Sequence, residues 1–228
     1  MTRKVNETQL AILQTGTRMF LEWGYSATSP KAICAAVGIS PGTLTHYYPT
    51  KEQLLAVLIE MLADFQWKTV VDIVNEGETP LTALCLEVAA MASIVREDDI
   101  ACDLYISAYT NALSLGIIRR HDAMRAKQVF ATYCEGWTDE SFAAAETMVS
   151  GIEYATLRLT PDSPPLEVCV TQAMNAILGL YGVPEDLRQK TIREALAMDY
   201  HSFGRKMLEG FKQYVLEMTE TVFAEMAV

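Results

Sequence analysis

Histidine is scarce in this sequence: three in 228 residues, His46, His121 and His201, all far apart. No E-x-x-H pair of the kind that builds di-metal sites in helical bundles occurs, and no H-E-x-x-H. A G-x-S-x-G elbow, a phosphate-cradling glycine-rich loop and a Cys-His grouping are missing too. The common hydrolytic, metal-dependent and nucleotide-dependent chemistries therefore lack their parts, and neither an enzyme nor a cofactor is expected. The five cysteines (Cys34, Cys85, Cys102, Cys134, Cys169) are odd in number and never form C-x-x-C. Reduced thiols packed as small apolar groups are expected. No stretch approaches the roughly eighteen apolar residues of a membrane helix. "MTRKVNETQL" has two basic residues with no apolar segment behind them, unlike a secretory leader, so a cytoplasmic location is expected. There is no internal repeat and no low-complexity segment.

What is present is helix-forming and half hydrophobic, enough for a substantial core in one or two domains. The net charge is −11, but it is unevenly placed. Residues 1–60 hold five Lys/Arg against four Asp/Glu, and the remainder holds thirteen against twenty-five. A near-neutral head on an acidic body is compatible with DNA binding through a local face.

The head reads as three helices. "ETQLAILQTGTRMFLEWGY" puts Ile12, Leu13, Gly16, Met19, Phe20 and Trp23 on one stripe, with Asn6 and Gln9 as a capping pair and Gly24 as the stop. "TSPKAICAAVG" is a second helix, with Ser29 as cap, Pro30 in the first turn and Gly38 as the stop. Ser40 and Pro41 open a third, very short one that ends near Tyr48-Pro49. Helix, tight turn, short helix is the helix-turn-helix layout, whose second helix enters the major groove. Gly42 and Thr43 suit close approach, His46 offers ring nitrogens, and Tyr47 and Lys51 are placed to grip the backbone. Ile33, Val37, Ile39 and Leu44 are the apolar pins behind them. Thr50 then caps a long fourth helix along Leu54, Leu55, Leu58, Leu62, Phe65 and Val70.

Residues 8–60 resemble the DNA-binding domain of the TetR family of transcriptional regulators. The resemblance rests on Phe20, Gly24-Tyr25, Ser29, Ile33, Gly38-Ile39-Ser40, Gly42, Leu44, Tyr47-Tyr48, Lys51 and Leu54. It implies that Pro41, Gly42, Thr43 and His46 face bases and that Thr45, Tyr47 and Lys51 face phosphates of a double-stranded operator. Thr45 stands where the family most often has Tyr, and Cys34 and Val37 each replace an Ala.

Beyond residue 50 the pattern predicts six further helices: 81–95, one from Asp98 or Asp99 through Leu113, one from Gly116 to about Cys134, 138–158, one after the "LTPDSPP" linker, and a long last one from Glu185. The last carries Ile192, Leu196, Tyr200, Phe203, Met207, Phe211, Tyr214 and Met218 at helical spacing. The fold expected is all-α: a three-helix helix-turn-helix domain (residues 1–50) and a larger helical ligand-binding and dimerisation domain (residues 51–228). The eighth and ninth helices are short of polar faces, which suits burial against a partner or a central place within one chain. The family resemblance implies the former, a homodimer, and a small-molecule effector within the body. Candidate lining residues are Met91, Cys102, Tyr105, Tyr109, Phe130, Cys134, Trp137, Met148 and Tyr154, with Asn111, His121 and Arg158 as polar candidates. The acidic body suits a neutral or cationic effector. The expected function is a ligand-responsive regulator, a repressor released from a palindromic operator by its effector. The alternative is an all-helical protein-interaction adaptor.

Overall fold

In the computed structural model, which describes residues 7–217, eleven α-helices and no strands are found among the described residues. The head comprises α1 (Glu7–Trp23), α2 (Pro30–Val37) and α3 (Pro41–Tyr47). Ser29 caps α2 by accepting from Ala32 N at 3.1 Å, and Gly38, at φ 76°, ends it with its N–H on Cys34 O at 2.9 Å. That left-handed backbone is where a side chain would be strained. Ser40 repeats the start, accepting from Thr43 N at 3.1 Å. A seven-residue helix is too short to be stable alone. Leu44, at 4% exposure, and Tyr48, which closes the helix, anchor it in the core with Ile12, Phe20, Ile33 and Leu54. Two polar groups buried there are satisfied by backbone: Thr17 Oγ1 donates to Leu13 O and Thr28 Oγ1 to Gly24 O, each at 2.8 Å.

Trp23 departs from the expected stripe and is 54% exposed. Tyr25, from the following turn, takes the place beside Phe20 instead, edge to face at 5.1 Å. Asn6, expected to cap α1, lies outside the described residues, as does Met218.

The body comprises α4 (Lys51–Asn75), α5 (Pro80–Glu97), α6 (Asp99–Thr110), α7 (Ala112–Val129), α8 (Asp139–Leu157), α9 (Leu166–Leu180), α10 (Glu185–Ala197) and α11 (Tyr200–Leu216). Helix α5 runs through the middle, with nearly every residue from Leu81 to Val95 buried. One hydrophobic cluster joins the head to the first half of α4, the end of α5, α6 and α11. A second fills the far end between α4, α5, α7, α8, α9 and α10.

Two boundaries differ from the sequence expectation. Helix α6 stops at Thr110 because the Asn111 side chain accepts from Leu113 N and Ser114 N, starting α7 early; α7 in turn ends at Val129, before Cys134. The long last helix is two helices. Met198 is extended (φ −79°, ψ 157°) and Asp199 caps α11 by accepting from Ser202 N at 2.9 Å. The break turns α11 onto α5, where a Cβ at Gly204 would lie 2.8 Å from Ala90 O. Gly204→Ala should therefore push α11 off α5 and destabilise the fold by about 1–3 kcal/mol. A lower urea midpoint reads this out, whereas a midpoint raised by the better helix propensity of alanine would contradict the close approach.

Candidate nucleic-acid interface and effector cavity

Helix α3 exposes one side and buries the other. Pro41, Gly42, Thr45 and His46 are exposed, Thr43 and Tyr47 are half-buried, and Leu44 and Tyr48 point into the core. Thr43 Oγ1 meets Ser40 Oγ at 2.9 Å, and Thr45 Oγ1 donates to Pro41 O at 3.1 Å and Gly42 O at 3.2 Å. The His46 and Tyr47 rings meet edge to face at 5.0 Å. Lys51 has a task that its sequence position does not reveal. Its Nζ donates to Tyr25 O at 2.9 Å and Thr28 O at 3.1 Å and lies 3.9 Å from the Tyr25 ring centroid. It therefore staples the start of α4 to the α1–α2 turn, with one N–H left over. The head is also held by the body. Asp103, on α6, accepts from Ser26 N at 2.7 Å and from Ser26 Oγ.

A partly open cavity lies between α4, α5, α6, α7, α8 and the end of α9, with about 920 Å³ of unfilled space when the solvent at its mouth is counted. Of the expected lining residues, Met91, Tyr105, Tyr109 and Phe130 are there. The others are not, each for a visible reason. Cys102 packs against the core that joins head and body. Trp137 stands behind Tyr181, ring centroids 5.8 Å apart, and Cys134 donates its thiol to Tyr181 O. Tyr154 stacks on the outer side of Tyr109 at 6.4 Å. Met148 points away, 60% exposed. Asn111 is the α7 cap, His121 meets Glu60, and Arg158 is an exposed helix end.

Sequence reasoning missed the ionisable lining: Glu87, Asp122, Glu146 and Glu153 with Arg125. A signal existed. Glu87 is the one charge between Pro80 and Val95, and Glu146 and Glu153 lie seven residues apart on the buried side of α8 with Val149. Arg125 is paired with Glu87 and lies 3.3 Å from Asp122. Burial works against its charge, but the two carboxylates outweigh that and hold its pKa above the usual value. The Tyr181 hydroxyl donates to Glu146, and Tyr109 donates to Glu153 at 2.9 Å. Burial, then the charge of Asp122, pushes Glu146 up to about 7 and Glu153 well above the carboxylate range. Asp122 rises to about 6, burial outweighing Arg125.

A chemical alternative also comes together in space. Ser93 Oγ lies 2.6 Å from His201 Nδ1, and Glu97 bonds the same nitrogen. A nucleophile relay needs the two ring nitrogens on different partners, and Ser93 is 1% exposed. Among the described residues no group of three or more His, Cys, Asp or Glu is placed to hold a metal. No helix there is long and apolar enough to cross a membrane.

The raised Glu146 has a stability consequence. Its folded form binds a proton more tightly than the unfolded chain, so stability is lost as pH climbs from about 4.5 through about 7. Glu146→Gln, which keeps an acceptor for Tyr181, should stabilise by up to about 3 kcal/mol at pH 8 and by nothing at pH 4. Equal melting shifts at both pH values would contradict the assignment.

Comparison with known proteins agrees with this geometry. Residues 12–58, which end inside α4, match the family described as bacterial regulatory proteins, tetR family. The regulator UidR of Escherichia coli is 39% identical over 59 residues, 26% of this chain and 30% of its own. The repressor KstR2 of Mycobacterium tuberculosis is 31% identical over 81 residues, 36% of this chain and 40% of its own. The chain thus matches well under half the length of these relatives. The solved structure of RolR with resorcinol shares the fold at TM-score 0.64 and 17% identity, over 82% of this chain and 93% of that one. Ligand-free RolR gives 0.60 at 16% identity, over 81% and 95%. With its exposed α3 pinned by Leu44 and Tyr48, the amino-terminal head is thus similar over residues 12–58 to the tetR family of bacterial regulatory proteins, and the whole chain shares its fold with RolR.

Proposed function

We propose that the chain is a ligand-responsive repressor that binds a palindromic operator in the cytoplasm as a homodimer and is released by a small-molecule effector. The observation that carries this reading is the double use of α6. One face presents Asp103 to the Ser26 turn of the head, and another presents Tyr105 and Tyr109 to the cavity. A ligand that fits the cavity only when α6 shifts would move the head with it, since a ligand acts through its different affinity for two states. RolR, which binds resorcinol in a related fold, and KstR2, named a repressor, support effector and repressor in kind.

Two helix faces support the homodimer. Beyond the charged first turn of each helix (Asp139 and Glu140 on α8, Glu167 on α9), α8 exposes Ala144, Thr147, Met148, Gly151 and Ala155, and α9 exposes Val168, Gln172, Ala176 and Leu180, none of them charged. Uncharged exposed faces on neighbouring helices suit a self-complementary four-helix contact. Two heads on a two-fold axis then read half-sites related by the same symmetry. On DNA, Pro41, Gly42, Thr43 and His46 face bases, while Thr45, Tyr47 and the remaining N–H of Lys51 face phosphates.

Gel shift with DNA from upstream of the chain's own gene should show specific retardation that weakens steeply with salt. No retardation of any such fragment at low salt would favour the adaptor. Thr43→Ala and His46→Ala should each weaken the specific complex by about 1–3 kcal/mol while leaving affinity for unrelated DNA unchanged. Asp103→Ala should keep operator binding but blunt release by effector. A variant that responds as fully as the parent chain would show that α6 does not carry the signal through this contact.

A further inference from the structure

The cavity holds four carboxylates, Glu87, Asp122, Glu146 and Glu153, against one guanidinium. Arg125 is already committed: it bonds Glu87 and Asp122 and lies over the Trp67 ring, its Cζ 5.6 Å from the centroid. Among the described residues no other cationic side chain lines the space. Glu146 and Glu153 are left with tyrosine hydroxyls, from Tyr181 and Tyr109. Glu146 is 3% exposed and lines the cavity, yet its Oε2 has no hydrogen-bond partner among the described residues. Buried polar atoms in finished cores are almost always paired, so an unpaired carboxylate oxygen on a side chain that lines the cavity points to a donor supplied from the cavity. The surrounding walls include the aromatic side chains of Tyr105, Tyr109, Phe130 and Tyr181, which suit a flat apolar body.

We propose that this cavity takes an organic cation, an aromatic molecule whose protonated amine sits between Glu146 and Glu153 on α8. The proposal rests on reading the body as an effector domain and adds the chemical class of the effector. An ammonium brings up to three N–H donors, enough for the free oxygen of Glu146 and an oxygen of Glu153 together. A neutral hydroxyl brings one donor and leaves the surplus of acids unanswered. An anion meets carboxylates with no cation free to receive it.

The same acids make binding sensitive to pH. Glu146 is faced by Asp122 and Arg125 from α7, Glu153 from its own helix, and Tyr181 from the end of α9. Glu153 is faced also by Glu87 from α5 and Tyr109 from α6, and His121 stands beside Asp122. Burial raises the proton affinity of both Glu146 and Glu153. Entry of a cation stabilises their charged forms, so protons leave as it binds and affinity rises with pH.

Calorimetry on the full-length protein with three matched probes tests this: 1-naphthylmethylamine, 1-naphthylmethanol and 1-naphthoic acid. The amine should bind at least about tenfold more tightly than the alcohol, and the acid should not bind. About one proton should be released per amine, seen as a difference in apparent heat between phosphate and Tris buffers. Glu146→Gln and Glu153→Gln should each weaken the amine about tenfold or more while leaving the alcohol unchanged, both variants melting cooperatively. An alcohol that binds as tightly as the amine and ignores Glu146→Gln overturns the proposal and leaves the effector reading standing. Tight binding of the acid, or no binding of the amine at millimolar concentration, overturns it too. Amine that binds with the expected proton release but fails to free the protein from its DNA supports the cation site and overturns the switch.

Discussion

Everything in this molecule depends on α6 belonging to two places at once. Asp103 reaches across to the Ser26 turn that precedes α2, while Tyr105 and Tyr109, two and six residues further on, form a wall of the cavity. An α-helix of twelve residues is a stiff rod of about 18 Å, so neither end is displaced without the other. Around it the core is continuous: Ile12 and Phe20 of α1, Leu55 and Leu58 of α4, Leu104 of α6 and Phe211 of α11 belong to one cluster. The head therefore has little hydrophobic surface of its own that is not shared with the body. Helix α3, seven residues held by Leu44 and Tyr48, takes its orientation from that shared core.

The cavity shows the opposite economy. A carboxylate buried without a cation is costly, and such a group commonly takes up a proton instead. Arg125 offsets Glu87 and Asp122, and the hydroxyls of Tyr109 and Tyr181 soften Glu153 and Glu146. The remaining imbalance is a structural liability that the proposed cation would relieve. Placing it beside α6 ties the protonation and occupancy of the cavity to the element that holds the head.

Much of this was legible in the sequence, for reasons that are local. Ser29, Pro30, Gly38, Ser40 and Pro41 dictate where α2 and α3 start and stop through backbone chemistry, and the structure places them as read. Exposure of His46 followed from its register against Leu44. Features set by distant partners were hidden. Trp23 fits the apolar stripe of α1, but Tyr25 occupies the position beside Phe20. The break at Met198-Asp199 depends on a single cap within an unbroken apolar rhythm. Aromatic and Met residues at helical spacing do not say which side of a core they occupy, and Met148 and Trp137 fit the pattern without lining the cavity. The acids that do line it stood out only as rare charges on otherwise apolar faces, Glu87 above all.

The claim that head and body form one mechanical unit can be tested through the three tryptophans: Trp23 in α1, Trp67 in α4 and Trp137 before α8. With 5-fluorotryptophan incorporated, each gives its own ¹⁹F resonance, and urea titration follows head and body separately in the same sample. A shared core predicts that all three native resonances disappear together, at one midpoint and with one slope. Loss of the Trp23 signal at lower urea, with those of Trp67 and Trp137 intact, would contradict it and show a head that folds and moves on its own.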